Sequence, residues 1–363
     1  MLQPVREFFN RHGQTVNVLG RLLLFRQIDI RRLAGVPVNL LASLFNRPPP
    51  LPPPVIQVDI TDMCNLRCPG CLTGMGWNNG HQGMMPYETF ASLIDEVARY
   101  TALAVLYNSG EPLLHTAAVD MIRLLTANAI ASIISTNGHF VRTPAEAEAL
   151  VASGLSVMVV SLSGATQETY AHYHRGGRLD QVLSGVRHVR QARKTLKKKT
   201  PLIIFRFLVM DHNRHETKAM TAMAKKEGCD WFELREVRWR ACPPGIAADS
   251  DGQRREPPRR AKGRKCLWPW LISVVNWNGD IYPCCFFRLN MARMGRTTDP
   301  GGLKAVWKNN DYNRFRGNMR SGNGRPDACR GCPAETGFQT RFSRQQRTIH
   351  LHLQAKPGTR ADI

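Results

Sequence analysis

The chain has 363 residues, 43% of them hydrophobic, enough for one large folded unit with a smaller one beside it. No run approaches 18 apolar residues and the first ten lack the basic-then-apolar order of a secretory signal, so neither a transmembrane helix nor a cleaved leader is expected. Fifty Lys and Arg against 28 Asp and Glu give a net charge of +22. Such a field favours anionic partners (an acidic substrate, a phosphorylated carrier, lipid headgroups or nucleic acid), and it also describes a solvated basic surface.

In residues 1–54, Leu19, Leu22, Leu23, Phe25, Ile28, Ile30 and Leu33, then Leu40, Leu41, Leu44 and Phe45, recur at near-helical spacing with Arg21, Arg26, Arg31, Arg32 and Arg47 among them. Two short amphipathic helices are predicted, whose apolar stripe either packs on the following domain or rests on an anionic membrane surface. Pro48 to Pro54 then form a stiff extended spacer, a domain boundary.

Residues 55–240 alternate strand-like and helix-like segments. Strands are predicted at Val55–Ile60, Ala102–Tyr107, Ile130–Thr136, Leu155–Leu162, Leu202–Met210 and Trp231–Val237. Helices are predicted at Tyr87–Tyr100, His115–Asn128, from Thr143 onward, at Leu179–Leu196 and at Arg214–Glu227. Six such alternations imply parallel strands joined by right-handed crossovers, with functional residues at the C-terminal ends of the strands.

Those ends carry the chemistry-bearing residues. After the first strand comes Cys64-Asn65-Leu66-Arg67-Cys68-Pro69-Gly70-Cys71. Three thiolates in one loop can hold three irons of a [4Fe-4S] cube and leave the fourth iron open. A zinc site wants a fourth ligand, yet the closest His is His81 and the next Cys is Cys229. After the second strand comes Ser109-Gly110-Glu111-Pro112, after the third Thr136 and Asn137, and the fourth ends in Ser161-Leu162-Ser163. Ten cysteines in two groups, with Cys229 and Cys242 between them, suit metal binding in a reducing cytoplasm better than a disulfide framework.

The C-x3-C-x2-C loop with the Gly-Glu-Pro turn resembles the radical S-adenosylmethionine (radical SAM) enzymes. The resemblance implies a partial (βα)6 TIM-like barrel in an α/β chain, with a [4Fe-4S] cluster at Cys64, Cys68 and Cys71. The open iron would chelate SAM, whose reductive cleavage yields a 5'-deoxyadenosyl radical. It further implies that Gly110, Glu111, Pro112 and Asn137 line the cofactor, that Ser161 contacts the SAM ribose and that Arg175 pairs with its carboxylate. Ser163 stands where the family commonly has an acid. An electron donor of flavodoxin or ferredoxin type is implied as a partner.

From Arg187 to Lys199 there are seven Lys and Arg and no acid, a basic helix end finishing in Lys197-Lys198-Lys199. Residues 241–265, rich in Pro and charge, form a basic linker; Cys242 within it is a candidate hydrogen donor to a substrate radical. Residues 266–340 carry the second cysteine group: Leu271–Trp277 and Asp280–Phe286 flank Asn278-Gly279, a type I' hairpin signal. Cys266, Cys284, Cys329 and Cys332, with Cys285 as substitute for Cys284, can close a four-thiolate site suited to zinc or a cluster. The layout resembles the SPASM extension in its shorter twitch form, a small β-hairpin-plus-helix domain holding one auxiliary [4Fe-4S] cluster. A basic tail, 341–363, follows.

The resemblance implies a radical SAM oxidoreductase that oxidises or epimerises an anionic or carrier-linked small molecule such as a sugar or lipid headgroup. Peptide modification is the alternative within the class. A zinc-containing nucleic-acid-binding protein is the alternative outside it; that one lacks a recognition helix and leaves Glu111 unexplained.

Overall fold

Six strands follow one another in both chain order and space: β1 (Val55–Val58), β2 (Leu103–Val105), β3 (Ala131–Thr136), β4 (Val157–Ser161), β5 (Leu202–Val209) and β6 (Trp231–Glu236). Each pairs in parallel with the next. The structure is a computed structural model that describes residues 20–25, 27–45, 47–76, 82–236, 266–285, 292–321, 329 and 349–350. The predicted linker and Cys242 lie outside these residues, as do Cys332 and all of the tail except Ile349 and His350.

The crossovers carry α2 (Tyr87–Val97), α3 (Ala118–Ala127), α4 (Pro144–Ala152), α5 (Gln167–Tyr173), α6 (Leu179–Thr195) and α7 (Thr217–Lys226); α1 (Gly35–Leu44) precedes the sheet. The start of α4 is dictated locally. The Thr143 hydroxyl accepts from the Glu146 amide while the Glu146 carboxylate accepts from the Thr143 amide, and Pro144 presets the first turn.

Alternation along the strands builds two cores. On β5, Ile203, Phe205 and Phe207 face the helices, where they join Val182, Val186 and Met220. Leu202 and Ile204 face the other way, into the concave side. There they meet Ala131, Val157, Val159 and Trp231, together with Leu22 and Ile28 from the N-terminal segment. Most of these residues lie at or near the strand starts, so the N-terminal segment plugs the bottom of the open barrel. One layer higher the inward positions turn polar, with Arg206 on β5 and Glu233 on β6.

The N-terminal expectation therefore splits. Residues 20–24 are helical, a 3-10 turn follows at Ile30–Ala34 with its Asp29 side chain accepting from the Arg31 amide, and then α1 begins. Leu22 and Ile28 are buried against the barrel, whereas Leu24, Ile30, Leu41, Leu44 and Phe45 are exposed. The proline run is not the expected stiff extended spacer: the chain bends at Pro50, Leu51 and Pro54 and packs back on the sheet. Pro52, Pro53 and Pro54 are buried, and the Pro53 and Pro54 carbonyls accept from Thr101 and Ala102 at the foot of β2.

The auxiliary segment is joined to the sheet. After a helical turn, α8 (Trp268–Leu271), strand β7 (Ile272–Val275) pairs in parallel with β1. Strands β8 (Asp280–Tyr282) and β9 (Gly295–Arg296) then extend the sheet antiparallel. With β10 (Ile349–His350) antiparallel to β6, ten strands form one open sheet. The first barrel strand thus has a neighbour on both sides, which removes an exposed edge. Helices α9 (Gly302–Lys308) and α10 (Asn310–Ser321) follow, and the Glu96 carboxylate on α2 accepts from the Leu303 and Lys304 amides at the start of α9.

The hairpin turn differs from the expected type I'. The Gly279 amide donates to the Asn276 carbonyl, which puts Trp277 and Asn278 at the centre, and Gly279 alone is left-handed at φ 82°. This is a three-residue loop with glycine in the αL position, and it leaves Asn278 unstrained.

Sealing the barrel foot has a measurable consequence. Leu22→Ala removes a fully buried side chain and should lower unfolding stability by about 2–4 kcal/mol. Leu24→Ala, at an exposed position two residues on, should leave the urea midpoint unchanged.

Candidate active site

The three-cysteine loop leaves β1 and is fastened on both sides. The Arg67 amide donates to the Arg175 carbonyl at 3.1 Å, joining the loop to the segment after β4; the Glu111 amide donates to the Met63 carbonyl at 2.8 Å, joining it to the turn after β2. Gly110 permits the second of these approaches, and Gly74 lets the loop close on itself. A Cβ at Gly74 would lie 2.7 Å from the Cys68 nitrogen, and one at Gly110 would lie 2.3 Å from the Thr61 carbonyl oxygen.

Glu111 is the buried hinge of the site. One carboxylate oxygen accepts from the Thr136 hydroxyl at 2.7 Å and the Leu113 amide at 3.1 Å. The other accepts from the Asn137 amide at 2.6 Å and keeps acceptor capacity for a further donor. Burial pushes its carboxyl up to about 7, against the pull of those three donors. Pro112 begins a 3-10 turn that Glu111 caps.

Asn137 extends the network to the cysteines. Its side-chain nitrogen Nδ2 donates to the Asn65 side-chain oxygen Oδ1 at 2.7 Å and lies 3.8 Å from the Cys64 sulfur, which also accepts from the Leu66 backbone amide at 3.5 Å. Its side-chain oxygen faces Nδ1 of His139 at 3.0 Å. Because the Arg178 amide donates to Nε2 of that ring, the proton sits on Nδ1.

Cys68 has a partner that sequence reasoning missed. His174 Nδ1 lies 3.6 Å from its sulfur, and Nε2 lies 3.0 Å from the Ser163 hydroxyl. Burial, aided by nearby His139, pushes His174 down to about 3, so the ring is neutral and has one proton to give. With Cys68 as a thiolate, Nδ1 donates to sulfur and Nε2 accepts from Ser163. Ser163 is therefore fully buried and engaged with His174; its carbonyl accepts from Asn213, whose amide also spans to the Leu208 carbonyl. Glu216 accepts from the Ala165 amide at 2.8 Å. Asn213 and Glu216, an Asn-x2-Glu just past β5, fasten the β4 turn, a role that their spacing in the sequence does not signal.

Ser161 ends β4 in register with Arg206 and is partly exposed on the inner face. Arg175 is exposed beside the cysteine loop. Deeper in the mouth, Glu233 accepts from Arg206 at 2.8 Å and from Arg235. Burial opposes the charge on Arg206, but Glu233 and the Tyr107 hydroxyl more than restore it, and the two guanidiniums hold Glu233 below its usual range in spite of its burial. One acid thus stands between two cations, and Arg235 is the more open of them.

Burial pushes the Cys64 thiol up to about 11, with Glu111 and then Cys71 also opposing its charge, and pushes Cys68 up further, with Cys71 and Cys64 opposing charge there. Thiols in that condition ionise when a cationic centre takes the protons' place. Among the described residues no three His, Cys, Asp or Glu converge on a point that one ion would occupy. In a cube each protein thiolate holds its own iron, so the donor set of this loop fits a cluster. In the auxiliary segment Cys266, Cys284 and Cys285 are partly buried and pack against the main core, to which buried Cys329 belongs. The Asn108 side-chain nitrogen donates to the Cys285 backbone carbonyl at 3.1 Å, tying that segment to the barrel mouth.

A partial parallel barrel with a three-thiolate loop at its C-terminal rim and a second cysteine group on the same sheet defines an iron–sulfur enzyme. The sequence model of the radical SAM superfamily matches residues 58–220, and that of an iron–sulfur cluster-binding domain, SPASM, matches residues 266–333. The chain belongs to the radical SAM superfamily. It is a radical SAM enzyme that uses a [4Fe-4S] cluster with S-adenosylmethionine, and its SPASM domain holds an auxiliary iron–sulfur cluster.

Among relatives, GTP 3',8-cyclase of Listeria monocytogenes is 31% identical over 132 residues, 36% of this chain and 40% of the cyclase. The cyclase of Limosilactobacillus fermentum is 34% identical over 134 residues, again 36% and 40%. The match thus spans about two fifths of the length of these relatives. Among solved structures, Streptococcus suis SuiB bound to precursor peptide SuiA aligns at TM-score 0.58 and 13% identity, covering 73% of this chain and 66% of SuiB. Native anSMEcpe with bound AdoMet and Cp18Cys peptide aligns at 0.51 and 15%, covering 82% and 93%. At such identities the likeness is one of fold.

The Gly110 contact makes a sharp prediction. Gly110→Ala forces the Glu111 turn away from the cysteine loop, and the variant should retain less than half the iron that the wild type binds at the loop after anaerobic reconstitution. Gly317→Ala, where an added Cβ meets nothing within 4 Å, should load normally.

Proposed function

We propose that the enzyme oxidises or epimerises a C–H centre of a small molecule that carries an anionic group, a phosphate or carboxylate, alone or on a carrier. The observation that supports this is the Arg206–Glu233–Arg235 array on the inner face of the mouth, with Arg235 the more open end and a fork geometry suited to such oxygens. The relatives' name, GTP 3',8-cyclase, is also that of an enzyme acting on an anionic molecule.

When bound, the cluster and SAM supply hydrogen-atom abstraction from an unactivated carbon. In this reading Cys64, Cys68 and Cys71 hold the cluster. The Leu66 amide and the Asn137 side chain stabilise Cys64, and the His174 Nδ1–H stabilises Cys68, as hydrogen bonds to cluster sulfurs do elsewhere. Glu111 fixes Asn137 and keeps one acceptor position for the SAM amino group. Ser161 faces the ribose, and Arg175 pairs with the carboxylate. Ser163 serves as a positioning residue through His174. Cys266, Cys284 and Cys329, with Cys332, hold one auxiliary cluster, and a flavodoxin- or ferredoxin-type protein donates the electron. Held by these cysteines, the auxiliary cluster would supply an acceptor for the second electron of an oxidation; Cys242 as hydrogen donor would give epimerisation instead, its thiyl radical being restored by one electron from the donor protein and one proton. Peptide modification is the alternative substrate class.

Two measurements test this. After anaerobic reconstitution the wild type should hold about eight irons and a Cys64→Ala/Cys68→Ala/Cys71→Ala variant about four, with SAM cleavage only in the wild type; zinc at both sites would sink the cluster assignments. Millimolar inorganic phosphate should raise the unfolding temperature of the wild type but not of Arg235→Ala. No stabilisation of the wild type by phosphate, sulfate or simple carboxylates would remove the anionic-substrate reading and favour a peptide.

A further inference from the structure

We propose that the face formed by residues 24–25 and 27–45 and the end of α6 docks on an anionic phospholipid bilayer. Helix α1 is turned inside out. Its buried positions are Gly35, Asn39 and Ser43, spaced i, i+4, i+8, and Asn39 grips the backbone of Leu51 through both ends of its amide at 3.1 and 3.2 Å. Small and polar residues thus attach the helix to the protein, and its apolar residues Val38, Leu41 and Leu44, with Phe45 just beyond, are left in water. Leu41, Leu44 and Phe45 are 56%, 58% and 69% exposed.

The concentration is specific to this segment. Of the ten large apolar side chains exposed among the described residues, six are Leu24, Ile30, Val38, Leu41, Leu44 and Phe45. A seventh, Leu196, sits at the end of α6 directly before Lys197-Lys198-Lys199, all exposed. That lysine cluster adjoins the N-terminal segment, since Lys199 Nζ lies 5.4 Å from the Phe25 ring centre. No Asp or Glu occurs from Ile30 to Val58, and Arg31 and Arg47 are exposed at either end of the apolar stretch.

Apolar side chains flanked by Lys and Arg are the footprint of a segment lying in a lipid interface, where acyl chains take the apolar residues and anionic headgroups the cations. Charge selects this occupant. A second copy would bring the same basic surface against itself in a protein of net charge +22. Nucleic acid would satisfy the lysines and leave Leu41, Leu44 and Phe45 in water. The face is formed partly by the plug at the barrel foot, away from the cysteine loop, so docking leaves the mouth open to substrate.

The test is flotation of the full-length, cluster-loaded protein with vesicles. Binding should be strong with vesicles of phosphatidylcholine and phosphatidylglycerol, at least tenfold weaker with phosphatidylcholine alone, and released by about 0.5 M salt. Leu41→Glu/Phe45→Glu should weaken it by tenfold or more. Lys197→Glu/Lys198→Glu, which spares the apolar face, should do so to a similar extent. Both variants should cleave SAM at the wild-type rate, because none of these positions touches the mouth. Wild-type protein that stays with the aqueous phase, or variants that float as the wild type does, overturn the proposal. A concentration-dependent dimer that Leu41→Glu/Phe45→Glu disrupts, without vesicle binding, assigns the face to a second copy instead.

Discussion

The site depends on one buried carboxylate. Glu111 is 2% exposed and binds donors from the turn that follows it and from the end of β3, while its own amide holds the cysteine loop through Met63. Three consecutive βα units thereby become one rigid rim. A buried charge without these donors would cost several kcal/mol. The arrangement is stable only when all three segments are in place, and the cysteines then inherit fixed positions. The second sulfur partner follows from the same logic on the other side. His174 can reach Cys68 because Arg67 is bonded to Arg175 and because Asn213 and Glu216 hold the β4 turn from beneath.

Much of the barrel was legible because its strands are short apolar runs, punctuated by turns, each starting or ending within three residues of its predicted limits. The cysteine spacing and the Gly-Glu-Pro turn carried the class. What escaped had physical reasons. Helix α5 has seven residues and no apolar stripe, so periodicity could not find it, and with it went the position of His174. The inward charges Arg206 and Glu233 stand inside runs that read as buried strands, and a charge there signals a lumen that only the fold reveals. Gly279 was read as half of a two-residue turn, although the same dipeptide serves a three-residue loop one position earlier. Pairing of the auxiliary hairpin with β1 has no local sequence signal, since parallel partners far apart in the chain are set by the whole fold.

The polarity of the barrel interior runs along its axis, and this gradient organises function. At the foot, Ala131, Val157, Leu202 and Trp231 are sealed by Leu22 and Ile28. In the middle lie Arg206, Glu233 and the Tyr107 hydroxyl; at the rim are the thiols and the amides that face them. A radical reaction needs water excluded from one end and charged handles near the other. The N-terminal segment meets the first need with residues outside the repeating units.

That segment explains how a strongly basic protein can keep a selective interior. In the Arg206–Glu233–Arg235 array one acid stands between two cations, so the array carries one excess positive charge held in fixed geometry. Most of the +22 must then lie elsewhere, and a conspicuous share sits in the acid-free stretches before β1 and at the end of α6. Diffuse positive charge at the rim would attract any anion and blur recognition, whereas charge beside the foot acts on a partner without competing at the site. Separating the two along the barrel axis lets general attraction and specific recognition operate at once.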